Sequence, residues 1–379
     1  MTAKLTFFPV GNGDMTLIEL ESGRSLLIDI NIRTAADDPD GDDPDVAAAL
    51  RKHLPRDTLG RLYVDAFLLS HPDEDHCRGL RNHFHLGPVE EWSEDQDKIL
   101  IREMWSSPIV FRRAGRYHTL CADAKAWNKE ARRRVKYYRD GKKGADGERI
   151  LILGEDEDGK TDDLHDILVK IDETFSRING HEDESLNSQL LAPLPINDDE
   201  ERLSKNKSST ILNLSLSGGG DSDKCRFLIG GDAEVAIWET LWGRHSSNPD
   251  VLSYDVLLTP HHCSWRSLSY DSWSESGEKA KVCKEALNAL SQSKAGATLV
   301  ASSKPVADGD SDPPCIRAKR EYDEIAKECG GNFKCVGDTS PETLLIEVGP
   351  NGPKLKAQRL AAATVMGSGA IGSQPVGHG

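Results

Sequence analysis

A chain of 379 residues is long enough for one large domain with insertions or two modest ones, so neither a disulfide nor a metal staple is needed merely to form a core. Its net charge of −16 opposes long-range attraction to nucleic acid, so a phosphate-bearing substrate needs a local basic patch or bound metal. Apolar runs such as AFLLS and DVLLT are too short to span a bilayer, and the opening MTAKLTFFPVGNGD lacks a secretory signal's basic and apolar regions, which predicts a cytoplasmic protein without a membrane segment.

The first 30 residues alternate apolar and polar positions between turn signals, predicting three antiparallel strands over KLTFFPV, MTLIEL and SLLIDI. An acidic loop follows, TAADDPDGDDPD, in which Asp45 or a nearby acidic residue caps a helix through VAAALRKHL. LYVDAFLLS is nearly continuous in apolar residues, as a strand buried on both faces is, and a short helix or turn is expected around CRGLRNHF. From 88 to 205 charge density rises, and a charged, mainly helical insertion is expected. Its helices fall over HTLCADAKAWNKEARRRVKYYRD and DDLHDILVKIDETFSRI, with a strand RILIL between them. STILNLSLS, KCRFLIGG and YDVLLT resume the strand pattern, and helix and strand alternate from CKEALNALSQ to ETLLIEV. The order of elements predicts a layered α/β fold, with residues 1–87 and 206–360 forming one scaffold. Residues 361–379 are small, polar and glycine-rich, the composition of a disordered tail.

Eight cysteines, at 77, 121, 225, 263, 283, 315, 329 and 335, form no C-x-x-C pair. That argues against a zinc ribbon or a disulfide framework and for reduced thiols. The densest chemistry lies in LLSHPDEDHCRGL, residues 68–80, which sets His71, Asp73, Asp75 and His76 within six positions after a strand. Imidazole nitrogens and carboxylate oxygens are ligands for zinc, manganese and iron, and a loop leaving a strand can aim several into one cavity. FLIGGDAEVAIW places Asp232 after a strand and two glycines, where it either faces that cavity or caps the next helix. VLLTPHHCSWRS delivers His261 and His262 from a further strand end, the pattern of loops building a site at one sheet edge. SGGGDSD at 217–223 lacks the rest of a phosphate-binding loop and reads as a hairpin turn, and no G-x-S-x-G elbow supports a serine triad.

Taken in order, FFPVGNGDMTLIE, LLIDI, LLSHPDEDHCRGL, FLIGGDAEVAIWETL and DVLLTPHHCSWRS resemble the motifs of metallo-β-lactamase fold hydrolases, of the soluble-domain type found in ComEC DNA-uptake proteins. The resemblance covers the core but not residues 88–205. It implies an αβ/βα four-layer sandwich with two divalent ions, zinc or manganese, at one sheet edge. His71 and Asp73 would hold one ion and Asp75 and His76 the second. Asp232 would bridge them, and His261 or His262 would complete the set of ligands around the second ion. Asp14 and Asp29 would orient ligands from behind. Asp73 stands where many members carry His, which makes the site more oxygen-rich. The third-motif His of many members has no counterpart: His118, His165 and His181 all lie in the charged segment. NKSSTILNL, through Asn206, Ser208 and Ser209, resembles the strand that the ComEC type carries instead. Cys263 replaces the glycine of H-H-G-S, and DGDSDPPC replaces a later G-H-P.

That ligand set implies hydrolysis of an ester or phosphodiester by metal-activated water, with Asp75 or Asp232 accepting the proton and His262 assisting the phosphoryl oxygen or leaving group. ARRRVKYYRDGKK, residues 131–143, is either a solvated helix face or a phosphate-tracking patch in which Arg132, Arg133, Arg134 and Lys136 neutralise phosphates and Tyr137 or Tyr138 stacks a base. Lys205, Lys207 and Arg266 are further candidate phosphate contacts. Together these favour a phosphodiesterase or nuclease acting on DNA. The alternatives are a hydrolase of a lactone, thioester or cyclic nucleotide, and a non-catalytic subunit that binds a protein partner through the charged segment.

Overall fold

The computed structural model describes residues 1–356 apart from 38–40, 42, 109–119, 143, 156–158, 195–207 and 310. The expected tail, together with His118, Lys205, Asn206 and Lys207, lies outside the described residues. The chain is a mixed α/β protein built on two large sheets.

The first sheet begins as expected. Thr16–Glu19 pairs antiparallel with both Ala3–Phe7 and Ser25–Ile28. From Ser25–Ile28 the sheet continues in parallel through Tyr63–Leu69, Ile99–Ser106, Arg149–Leu153 and Leu168–Val169. The second sheet repeats this plan. Leu186–Ala192, Ile211–Gly218 and Asp221–Ile229 form an antiparallel meander, and Tyr254–Leu258, Ser293–Ala301 and Asn332–Cys335 extend it in parallel. In each sheet the third and fourth strands of the plan run side by side in parallel, so their C-terminal ends open at the same edge. Asp29 and His71 follow those strands in the first sheet, and Asp232 and His261 follow them in the second.

Three hydrophobic clusters account for the packing. One joins the sheets face to face, with Leu5, Phe7, Ile28 and Leu68 against Leu212, Phe227, Ile229 and Val256. A second covers the other side of the first sheet, where Trp127 and Ala131 of the helix Ala122–Arg139 and Leu50 of the helix Val46–His53 meet Phe67 and Val64. The third covers the second sheet with Trp238, Leu241, Ala289 and Tyr322 from the helices Val235–His245, Lys284–Leu290 and Ile316–Glu328. Asp45 caps Val46–His53 by accepting a hydrogen bond from Ala48 N at 2.8 Å. Gly219 and Gly220, both at positive φ, make the two-residue turn expected within 217–223.

Segment 88–205 departs from the expected helical insertion. The helix Ala122–Arg139 forms, but DDLHDILVKIDETFSRI does not become a helix and carries the short strands Leu168–Val169 and Thr174–Phe175 instead. Ile99–Ser106 and Arg149–Leu153 lie inside the first sheet, and Leu186–Ala192 lies in the second. Their buried apolar runs, ILIREMW and RILIL, are what parallel strands covered on both faces require. RILIL was expected as a strand, whereas the charged residues around ILIREMW obscured that one.

Candidate metal centre

Ser70 and His71 leave the end of Tyr63–Leu69, and the single-turn helix Glu74–Cys77 then presents Asp75 and His76 on successive positions. Asp232 arrives from the other sheet after Gly231, whose φ of 46° brings the backbone so close that a Cβ would sit 2.9 Å from Ser70 Oγ. Asp232 does not cap the following helix, which starts at Val235 with Glu234 at its cap. His261 and His262 come from the turn after Tyr254–Leu258. His261, His262 and Cys263 all have positive φ, at 52°, 52° and 67°. Three consecutive non-glycine residues in this region are costly, and such strain gathers at functional sites. Here it aims successive imidazoles at one carboxylate.

Asp232 is the hub. Its Oδ2 lies 3.4 Å from His71 Nε2 and 3.5 Å from His261 Nε2. Its Oδ1 lies 3.0 Å from His76 Nε2 and 3.4 Å from His262 Nε2, and those two nitrogens are 3.3 Å apart. Asp75 Oδ2 joins the second group at 3.4 Å from His262 Nε2. His71, His76, His262 and Asp232 are buried, whereas the Asp75 side chain is 36% exposed and can meet a substrate. Asp14 lies against both ring edges turned away from Asp232, 3.3 Å from His262 Nδ1 and 3.9 Å from His76 Nδ1. Ligand atoms of Asp14, His76, Asp232 and His262 all fall within 4.8 Å of one another. Asp73 is half-buried at the cap of Glu74–Cys77, where its carbonyl accepts from His76 N at 3.2 Å and its side chain makes no capping hydrogen bond.

The donor set fits a divalent cation. His71 Nε2 and Asp232 Oδ1, both turned toward the centre, are buried and make no hydrogen bond although other ligand-type atoms lie close by. Buried polar atoms are ordinarily paired, so close atoms that do not bond each other point to a shared third partner. Nitrogen and carboxylate oxygen without thiolate suit zinc or manganese. Without an ion, protons hold the site together. Burial favours neutral His262, but Asp232 and Asp14 outweigh it and push its pKa up to about 10. His76 is likewise raised against its burial by Asp232 and Asp29. Burial opposes the Asp232 charge, yet His76, His262 and His71 hold its carboxyl well below the usual range. His261 is shifted downward by burial, with Asp232 opposing.

Ser70 escaped the sequence reading. Its hydroxyl donates to Asp29 Oδ2 at 2.5 Å and lies 3.1 Å from His71 Nδ1, and its N–H donates to Asp29 Oδ1 at 2.7 Å. The only signal was a small polar residue between an apolar strand and the first His. Gly13 also proves specific, since a Cβ there would lie 2.3 Å from Asn31 Nδ2 and 2.6 Å from Asp75 O. The GNGD turn thus packs directly on the loop carrying Asp75.

The phosphate-tracking reading of residues 131–143 is overturned at Arg133 and Arg134. Arg134 is buried, pairs with Glu130 at 2.8 Å and donates to the carbonyls of Ile101 and Arg149. Arg133 is engaged by Glu130 and Glu148. Lys136 pairs with Asp140 one turn on, and Arg132 also has an interaction partner. Two adjacent arginines of this helix turn inward because buried carboxylates and strand carbonyls await them. Arg266 is exposed, on the turn just after His261 and His262.

No protein-family model matches the chain, and no curated protein matches it. Among solved structures it is similar to a putative metal-dependent hydrolase from Parabacteroides distasonis, at 12% identity and a TM-score of 0.35, over 88% of this chain and 93% of the other. It is also similar to unliganded yeast PDE1, at 12% identity and a TM-score of 0.40, over 88% of this chain and 97% of that one. Likeness at this level assigns no residue a role. No helix among the described residues is long and apolar enough to cross a membrane.

Proposed function

We propose that this chain is a metal-dependent hydrolase of phosphodiester bonds with the metallo-β-lactamase fold. The observation that carries the reading is Asp232, whose two oxygens each face a different pair of imidazole Nε2 atoms. That is the disposition of a carboxylate bridging two cations. One ion would be held by His71, His261 and Asp232 Oδ2, with Asp73 beside His71 in the loop. The other would be held by His76, His262, Asp75 and Asp232 Oδ1. His261 thereby takes the place of the third-motif histidine that the sequence lacks. The three hydrophobic clusters, one between the sheets and one outside each, support the four-layer sandwich.

Bound zinc or manganese supplies Lewis acidity toward a phosphoryl oxygen and acidifies water. The chain supplies the rest. Asp75, partly exposed, would accept the proton of the attacking water. Asp29 and Asp14 hold the Nδ1 edges of His76 and His262 so that Nε2 faces inward. Arg266, exposed on the turn after His262, is the phosphate contact this reading assigns. DNA is the polymer the sequence resemblance favours, whereas the engagement of Arg133 and Arg134 within the fold favours a substrate that needs no long basic track, such as a cyclic nucleotide.

The test is turnover of single-stranded DNA, duplex DNA, a cyclic nucleotide and a lactone by the purified chain loaded with zinc or manganese. Hydrolysis of a phosphodiester, lost in Asp75→Ala and His76→Ala, is expected. A chain that binds metal stoichiometrically yet cleaves only the lactone, or nothing, overturns the reading.

A further inference from the structure

The eight cysteines are reduced, but two of them are not solitary. Cys77 Sγ lies 3.5 Å from Cys121 Sγ, across a sequence separation of 44 residues. The approach is held from both sides. Asp123, two residues beyond Cys121, accepts hydrogen bonds from Gly79 N at 3.1 Å, Arg81 N at 3.1 Å and Arg81 Nε at 2.8 Å, fastening the segment after Cys77 to the start of the helix Ala122–Arg139. Bridges from Ile30 to Cys77 and from Asn31 to Arg78 fix the other flank.

The two sulfurs differ in kind. Cys77 is buried, and its one thiol proton lies within reach of both Asp73 O at 3.1 Å and Cys121 Sγ at 3.5 Å. Cys121 is half-buried and stands at the N-cap of an 18-residue helix, where its sulfur accepts from Ala124 N at 3.3 Å. Free N–H groups and the positive end of the helix dipole favour a thiolate at such a position. The Cys77 hydrogen bond, followed by the Ala124 and Asp123 N–H groups, holds the Cys121 thiol below its ordinary range against partial burial.

We propose that Cys121 is a peroxide-reactive thiol and that Cys77 resolves its oxidised form into an intramolecular disulfide. The Cys121 thiolate attacks a peroxide oxygen, the O–O bond breaks, and hydroxide leaves and is protonated to water, giving a sulfenic acid. The Cys77 sulfur then displaces the hydroxyl from Cys121. Its proton leaves with that hydroxyl as a second water, and the S–S bond forms. Two thiols lose two electrons and hydrogen peroxide gains them. Cys77 directly follows His76, so the bond forms on the segment that carries one imidazole of the candidate metal centre. The proposal does not depend on metal or on turnover.

Cys283 and Cys329 are internal controls. Both are half-buried, like Cys121, but their sulfurs face Glu285 and the Ala326 carbonyl rather than a second thiol. The full chain is treated briefly with hydrogen peroxide, quenched, alkylated under denaturing conditions that expose the buried Cys77, and mapped by mass spectrometry without reduction. A peptide pair cross-linked through Cys77 and Cys121 is expected before Cys283 or Cys329 reacts. In Cys77→Ser, dimedone should trap a sulfenic acid on Cys121, and in Cys121→Ser, Cys77 should remain alkylatable. If Cys77 and Cys121 both remain alkylatable in the wild type, or if Cys283 and Cys329 oxidise as fast as Cys121, the proposal fails. The wild-type map decides this even where a variant folds poorly.

Discussion

Asp29 Oδ2 lies 2.8 Å from His76 Nδ1, on the ring edge opposite the one that faces Asp232. The same oxygen accepts the Ser70 hydroxyl, which in turn lies beside His71 Nδ1. One buried carboxylate therefore fixes the ring orientation of one histidine directly and of another through a serine.

Asp29→Asn keeps the size but leaves one acceptor oxygen where Ser70 N–H uses one carboxylate oxygen and Ser70 O–H and His76 use the other. Partners of this kind typically alter metal affinity by about 10–100-fold, and a loss of that order for zinc or manganese is expected by calorimetry. Unchanged affinity would show that Asp29 serves the fold alone.

Asp232→Asn removes the charge that both histidine pairs face. Metal content per chain, measured by mass spectrometry after loading, is expected to fall from two ions to less than one while the circular dichroism spectrum is retained. Two ions remaining in the variant would remove Asp232 from the centre.

The strands that end at the site were legible because their side chains obey simple rules. YVDAFLL is buried almost throughout, and short turns leave its end, so His71, Asp75 and His76 follow at a predictable edge. Asp232 was legible as either facing the cavity or capping the next helix, and only the three-dimensional meeting with four imidazoles shows that it faces the cavity. Segment 88–205 was misread because Arg133 and Arg134 look solvated in sequence, where charge signals exposure. Their partners Glu130 and Glu148 and the carbonyls of Ile101 and Arg149 become neighbours only when the sheet forms. The split between His261 and His262 was equally hidden, since it depends on left-handed backbone at residues that rarely adopt it.

Without metal, His262 has its pKa raised from 6.5 to about 10 by Asp232 and Asp14, against the effect of burial. A raised folded-state pKa contributes stability that is complete below the unfolded value and is lost as pH climbs through the folded one. The thermal midpoint of metal-free wild type should therefore exceed that of His262→Gln by a constant margin below pH 6.5, and the margin should shrink toward pH 10. Since the same proton must leave before a metal binds, apparent zinc or manganese affinity should rise across that interval. A margin that does not vary with pH would show that folding leaves the His262 pKa unshifted.

Arg134 tests the corrected reading of the basic helix. It is 1% exposed, pairs with Glu130 and satisfies two strand carbonyls, so Arg134→Ala leaves a buried carboxylate and those carbonyls without partners. Breaking a buried pair in this way costs about 3–5 kcal/mol, to be read from urea denaturation. Lys136→Ala, at a side chain 74% exposed and paired only across one helical turn, should leave the urea midpoint unmoved. If the helix instead tracked phosphate, Lys136→Ala would weaken substrate binding in a salt-dependent manner, and Arg134→Ala would do so without loss of stability. The expected pattern is the reverse. Arg134 decides whether the helix stays on the sheet, and neither residue alters the salt dependence of KM.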